Sequence, residues 1–270
     1  MRLGIFLCFL MGISAAAHAL DEPELATYFA GKSGCFILYD VNQGKVSLSY
    51  NLATRCNERI SPDSTFKVPL SLMAFDRKVI TQDTVFKWDG KNYPRPGWNH
   101  DQTPKTWMQE SVVWVSQVLT PKLGADAIGK YLKGFNYGNQ DFSGDLGKNN
   151  GLTQAWLDSS LKISAVEQLA FIKALNASRL PVSKEAMENT KANIFLETLP
   201  NGWKFYGKTG SGSHEGSRTL TNGWFAGFAQ KGPHQVVFVL NFSDLEPTTE
   251  RDSPGIRAKN IVKRIFAKLD

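Results

Sequence analysis

The spacing of apolar residues changes character twice along this chain. Cys35-Phe36-Ile37-Leu38-Tyr39-Asp40 and Lys45-Val46-Ser47-Leu48-Ser49-Tyr50 flank Val41-Asn42-Gln43-Gly44, the pattern of a β-hairpin with turn formers in its middle. Phe66, Leu70 and Met73, with Val68 and Leu72 beside them, then follow the period of a buried helix, and Ser61-Pro62-Asp63 supplies cap-type and first-turn residues ahead of it. Residues 89–101 are rich in Pro, Gly and Asn and read as a loop. Thr103-Pro104 gives a cap followed by proline at the first helical position, opening a helix that carries Trp107, Met108 and Ser111. Ser164-Ala165-Val166-Glu167 is a capping box before Leu169, Ile172 and Leu175. Residues 204–211, 220–230 and 235–242 read as strands, and 256–269 as an amphipathic helix with Ile261, Ile265 and Leu269 on one side.

Strands at both ends with helices between them predict an α/β arrangement, an α+β sandwich. Its antiparallel sheet is drawn from the N- and C-terminal parts of the chain, and the middle forms a helical lobe. The cleft between the two is the natural place for a site. With 270 residues and 42% hydrophobic content there is ample material for a core. No linker-like tract or internal repeat divides the chain, so it reads as one folded body.

The first residues are set apart from that body. Arg2, the apolar run from Leu3 to Ile13 and the small-residue exit Ala17-His18-Ala19 form a secretory signal over residues 1–19, leaving 20–270 as the mature domain. The apolar run is too short to span a bilayer. The expected location is outside the cytoplasm, with a bacterial periplasm as the fit and no membrane span.

The formal charge of +6 is spread along the chain, with no Lys/Arg cluster interleaved with stacking aromatics, so no nucleic-acid partner is expected. The chain is read as a monomer or weak dimer. His18, His100, His214 and His234 are scattered without ligand spacing, and no metal is expected. Cys8 leaves with the signal. Cys35 and Cys56 either bridge, as an oxidising compartment permits, or Cys35 is a buried thiol on its strand, and the sequence leaves both open.

The candidate chemistry centres on Ser64-Thr65-Phe66-Lys67. Positions i and i+3 of a helix share a face, so the Lys67 amine can take the proton of the Ser64 hydroxyl. Near a helix N-terminus, the serine also meets free backbone N–H groups and the positive end of the dipole, which favour the charge developed in acyl transfer. Further motifs follow in order: Ser111-Val112-Val113, Tyr137-Gly138-Asn139, Trp156 and Lys208-Thr209-Gly210.

Together these motifs resemble the class D serine β-lactamases, the oxacillinases, along essentially the whole mature length. The resemblance is closest to the branch with Pro-Asp-Ser-Thr-Phe-Lys and Asp-Phe-Ser-Gly-Asp, here Pro62 to Lys67 and Asp141 to Asp145. It implies the penicillin-binding transpeptidase-like fold, a small-molecule β-lactam substrate and Ser64 as the acylated nucleophile. The Ser64 and Ser211 amides would form the oxyanion hole. It implies no separate cofactor, but carbon dioxide carried as a carbamate on Lys67, with Val113 and Trp156 supporting it. Ser111 would be a proton shuttle, and Tyr137 and Asn139 would line the site. Lys208 and Thr209 would bind the substrate carboxylate, with Gly210 letting substrate approach the backbone. Arg257 is the candidate for a second carboxylate contact, and Arg218 is its rival. A membrane-tethered β-lactam sensor and a transpeptidase or carboxypeptidase share part of this motif set; the expectation of a cleavable signal disfavours the sensor.

Overall fold

Alternation in β1 (Lys32–Asp40) sends Phe36 and Leu38 to one face of a sheet and Cys35 and Ile37 to the other, and both sets are buried. A strand covered on both sides belongs inside layers, and that is its place in the computed structural model, which describes residues 20–213 and 219–269. β2 (Lys45–Tyr50), β3 (Phe195–Thr198), β4 (Lys204–Ser213), β5 (Leu220–Lys231) and β6 (His234–Asp244) complete an antiparallel sheet in the order β2-β1-β6-β5-β4-β3. The sheet therefore joins the two ends of the chain as the sequence predicts. Short β3 is the addition: four residues give too little alternation to be read as a strand.

One face of the sheet packs on α1 (Glu22–Tyr28) and the last helix, Pro254–Phe266, through Phe36, Phe205, Phe225, Phe238 and Phe266. The other face meets the helical lobe. In chain order after α1, that lobe contains α2 (Lys67–Asp76), α3 (Pro104–Gln109), α4 (Val113–Leu123), α5 (Ala125–Gly134), α6 (Gly151–Gln154), α7 (Ala165–Asn176) and α8 (Lys184–Asn193), and α9 (Pro254–Phe266) closes the chain. Residues Lys67 to Phe75 of α2 are all buried, the mark of a helix enclosed on every side. The capping box before α7 forms as predicted, with Ser164 Oγ accepting from Glu167 N–H and the Glu167 carboxylate accepting from Ser164 N–H. Cys35 and Cys56 are joined as a disulfide, pinning β1 to the turn Arg55–Asn57.

The predicted signal segment lies outside the described residues. Among the described residues, no helix is long and apolar enough to cross a membrane.

Candidate active site

Ser64 lies in a 3-10 turn, Asp63–Phe66, that runs straight into α2. Lys67 brings its Nζ to 3.1 Å from Ser64 Oγ and is itself 0% exposed. Burial, and then the charges of Lys208 and Arg95, hold its pKa well below the ordinary lysine value, which favours a neutral amine at this spot.

The entry to this turn differs from the sequence expectation. No side chain caps it, and Ser61 Oγ is buried without a partner. Asp63 instead turns inward on a left-handed backbone, φ 49°. Its N–H donates to Trp156 O at 3.0 Å, tying the nucleophile turn to the segment that carries the indole. Its carboxyl is buried and pushed well above the usual range, by burial first and then by the negative charge of Asp158.

Trp156 is also fully buried. Its indole stacks on Phe66 at 5.4 Å and on Phe142 at 5.9 Å between ring centroids. Among the described residues its Nε1 has no hydrogen-bond partner. A buried indole N–H left unpaired costs free energy, so an acceptor belonging here is missing from the protein's own atoms. The segments on both sides of it are tied together by Asp145, whose carboxylate accepts from Ser159 Oγ at 2.8 Å and Asn150 Nδ2 at 3.0 Å.

Ser111 is not on the helix that Thr103-Pro104 opens, because α3 ends at Gln109. It occupies the turn between α3 and α4 with φ 58°, a conformation that costs a non-glycine residue about 1–2 kcal/mol. Lys208 Nζ donates to its Oγ at 3.0 Å and to Thr209 O at 3.1 Å. Relief of this strain gives a test. Ser111→Gly is expected to gain about 1 kcal/mol in a thermal melt, while turnover falls about 10²-fold with loss of the hydroxyl.

β3 pairs with β4 only as far as Tyr206, so residues Lys208 to Ser213 run on without a strand on that side. This open edge borders a cleft of about 310 Å³ lined by Ser64, Ser111, Val113, Thr209 and Ser211, with Trp98, Leu157 and Ile256 as apolar wall. Ser211 Oγ accepts from Gly255 N–H at 2.9 Å, fixing the edge to the start of α9. A roomier hollow of about 800 Å³, bordered by Arg77, Tyr131 and Pro181, contains none of the motif residues.

Four expected positions sit elsewhere. Gly210 faces the protein, not the cleft: a Cβ there would meet Pro62 O at 3.0 Å and Thr65 Cγ2 at 3.3 Å, so its smallness lets β4 dock on the nucleophile turn. Tyr137 is fully buried behind that turn, accepting from Gln168 Nε2 at 3.3 Å. Asn139 ties a surface loop, donating to Ser160 O and accepting from Lys162 N–H. Arg257 is 4% exposed and bidentate to Asp244, Nη1 to Oδ1 2.8 Å and Nη2 to Oδ2 2.6 Å, and does not line the cleft. A buried ion pair is expensive to break from one side. Arg257→Met is therefore expected to cost about 3–5 kcal/mol in urea denaturation. Arg218 lies outside the described residues.

Sequence reading passed over Asp158 and Arg95. Asp158 accepts from Ser213 N–H at 2.9 Å and carries the charge that bears on Asp63. Arg95 stands in the Pro-rich loop, where no periodicity marks a residue out.

The chain matches the family of the penicillin binding protein transpeptidase domain over residues 34–267. Beta-lactamase OXA-1 of Escherichia coli is 51% identical over 228 residues, 84% of this chain and 82% of that protein. Among solved structures, class D beta-lactamase BAT-2 has a TM-score of 0.79 at 34% identity, covering 94% of this chain and 98% of that one. The C-terminal domain of the Bacillus licheniformis BlaR penicillin-receptor gives 0.80 at 32% identity, over 90% and 94%. Fold alone therefore does not separate hydrolase from receptor. Sequence does: at half-identity to OXA-1 over most of both chains, on the transpeptidase fold, the chain belongs to the class D β-lactamases.

Proposed function

We propose that this enzyme is secreted to the periplasm, where it hydrolyses the amide of penicillin-type β-lactams through an ester on Ser64 and so confers resistance to them. The Ser64 oxygen bonds to the lactam carbonyl carbon, the ring C–N bond breaks, and the nitrogen takes a proton relayed by Ser111. Water then cleaves the ester, releasing the ring-opened acid and restoring the hydroxyl. Amides of Ser64 and Ser211 stabilise the oxyanion in both halves. Lys208 and Thr209 hold the substrate carboxylate.

The observation that carries this reading is the dry amine of Lys67 beside Ser64, with the unpaired Trp156 N–H in the same buried region. An ammonium is no base, so the water that cleaves the ester needs a deprotonated group at Lys67 to take its proton. Lys67 would hold carbon dioxide as a carbamate, which would supply that general base. The residues fit the group: Trp156 Nε1 is a donor without an acceptor, Lys67 is neutral enough to bind it, and Val113 helps keep water away.

Nitrocefin with intact-mass detection tests the reaction. Continuous colour with free enzyme at the end supports hydrolysis, and a single stoichiometric burst with a lasting adduct overturns it. Labelled bicarbonate with carbon NMR tests the carbamate, and its absence at every bicarbonate concentration overturns that part.

A pH prediction follows from Lys208, which burial, and then Arg95 and Lys259, bring down to about 7 with Lys67 unmodified. Below that pH the cation is present. As pH rises through it, the free enzyme loses the charge that meets an anionic substrate, so kcat/KM falls while kcat holds further up. An anion on Lys67 would stabilise the Lys208 ammonium, so adding bicarbonate is expected to move this alkaline limb of kcat/KM upward.

A further inference from the structure

Arg257 is buried in its pair with Asp244 and is not among the residues that line the cleft. We propose that Arg95, from the loop between α2 and α3, is the second cation that meets the substrate carboxylate, acting with Lys208 and Thr209 to select anionic β-lactams; this rests on the hydrolase reading above. Arg95 lines the same cleft as Ser64, Ser111, Thr209 and Ser211. Its guanidinium lies over the Trp98 ring, 5.4 Å from the centroid. That ring is itself held, with Trp98 Nε1 donating to Glu110 O at 2.9 Å and Trp98 N–H to Arg95 O at 2.9 Å. The exposed arginine is thus pre-positioned by stacking and by its own turn, which reduces the entropy lost on binding.

Charge supports the same assignment. Among the described residues, no carboxylate pairs with Arg95, whereas Arg257 is paired with Asp244 and Glu250. Glu110, the acidic residue of the cleft lining, packs its carboxylate toward Gly97 instead. Arg95 is also the charge that weighs most on Lys208, ahead of Lys259. The charge of Arg95 disfavours the Lys208 ammonium, and a carboxylate bound near both would relieve that repulsion.

The test compares benzylpenicillin with its uncharged methyl ester, following ring opening by wild type, Arg95→Met and Arg95→Lys. Methionine keeps an apolar surface for Trp98 and removes the charge. For the free acid, Arg95→Met is expected to lower kcat/KM about tenfold, mainly through KM. For the ester the two enzymes should agree within about twofold, and Arg95→Lys should recover part of the loss on the acid. An equal loss on acid and ester, or no loss on either, overturns the proposal. So does an acid-selective loss in Arg218→Gln with none in Arg95→Met. Failure of the wild-type enzyme to turn over the free acid overturns the hydrolase reading beneath it, and the same assay distinguishes that result.

Discussion

Replacing Lys67 with alanine is expected to lower nitrocefin turnover by about 10³-fold, the scale of a lost general base, and to leave a Ser64 adduct visible by intact mass. Acylation slows too, since the group 3.1 Å from Ser64 Oγ is gone. It is not abolished, because the backbone donors and the strained lactam remain. Ester hydrolysis slows more, because the base assigned to activating water is gone, so the adduct accumulates. The variant should also separate function from stability. Lys67 has a pKa below its ordinary 10.5 in the folded chain, so between those values the unfolded state holds more protons and wild-type stability rises with pH. Alanine removes that slope. At neutral pH it also removes the cost of stripping a lysine of its proton and water, which offsets the cavity left behind. Denaturation midpoints at several pH values would show this, and a variant that deacylates normally would contradict the base assigned to Lys67.

Trp156→Phe is the second large effect. Phenylalanine keeps an aromatic ring against Phe66 and Phe142 while deleting the donor, at the cost of a smaller cavity than alanine would leave. Turnover in air-equilibrated buffer is expected to fall about 10- to 100-fold, as when an outer hydrogen bond to a reactive centre is lost. Added bicarbonate should restore much of it, because the defect is in retention of carbon dioxide and not in the nucleophile. Progress curves should start fast and decay as the group is lost. Trp156→Ala is less informative, since removing a fully buried indole costs about 3–5 kcal/mol of folding stability on its own. Bicarbonate-independent, wild-type turnover in Trp156→Phe would remove the indole from the account.

What the sequence makes legible here is what local rules govern. The β1–β2 hairpin, the Ser164 capping box and the long central strands are set by alternation, turn residues and caps within a few positions of one another. The Ser64–Lys67 pair is legible for the same reason, since three residues on one helix face fix their meeting. Ser111 was misplaced because its left-handed turn depends on how α3 and α4 pack, which no propensity records. Asp63 looked like a cap because aspartate usually is one; its burial against β4 is a long-range fact. The surroundings of Gly210 and Arg257 are long-range in the same way. Each is explained by what faces it in space, Thr65 and Pro62 in one case and Asp244 in the other.

The sheet order has a consequence for timing. β1 pairs with β6 from Lys32↔Asp244 to Asp40↔Val236, so the first strand waits for the last before it has a neighbour on its inner side. Contacts this distant along the chain form slowly. A chain still emerging from the ribosome already carries Ser64 and Lys67, but not yet the Lys208–Ser213 edge that borders their cleft. The pair is therefore made early and framed late, when the C-terminal strands have been added to the sheet.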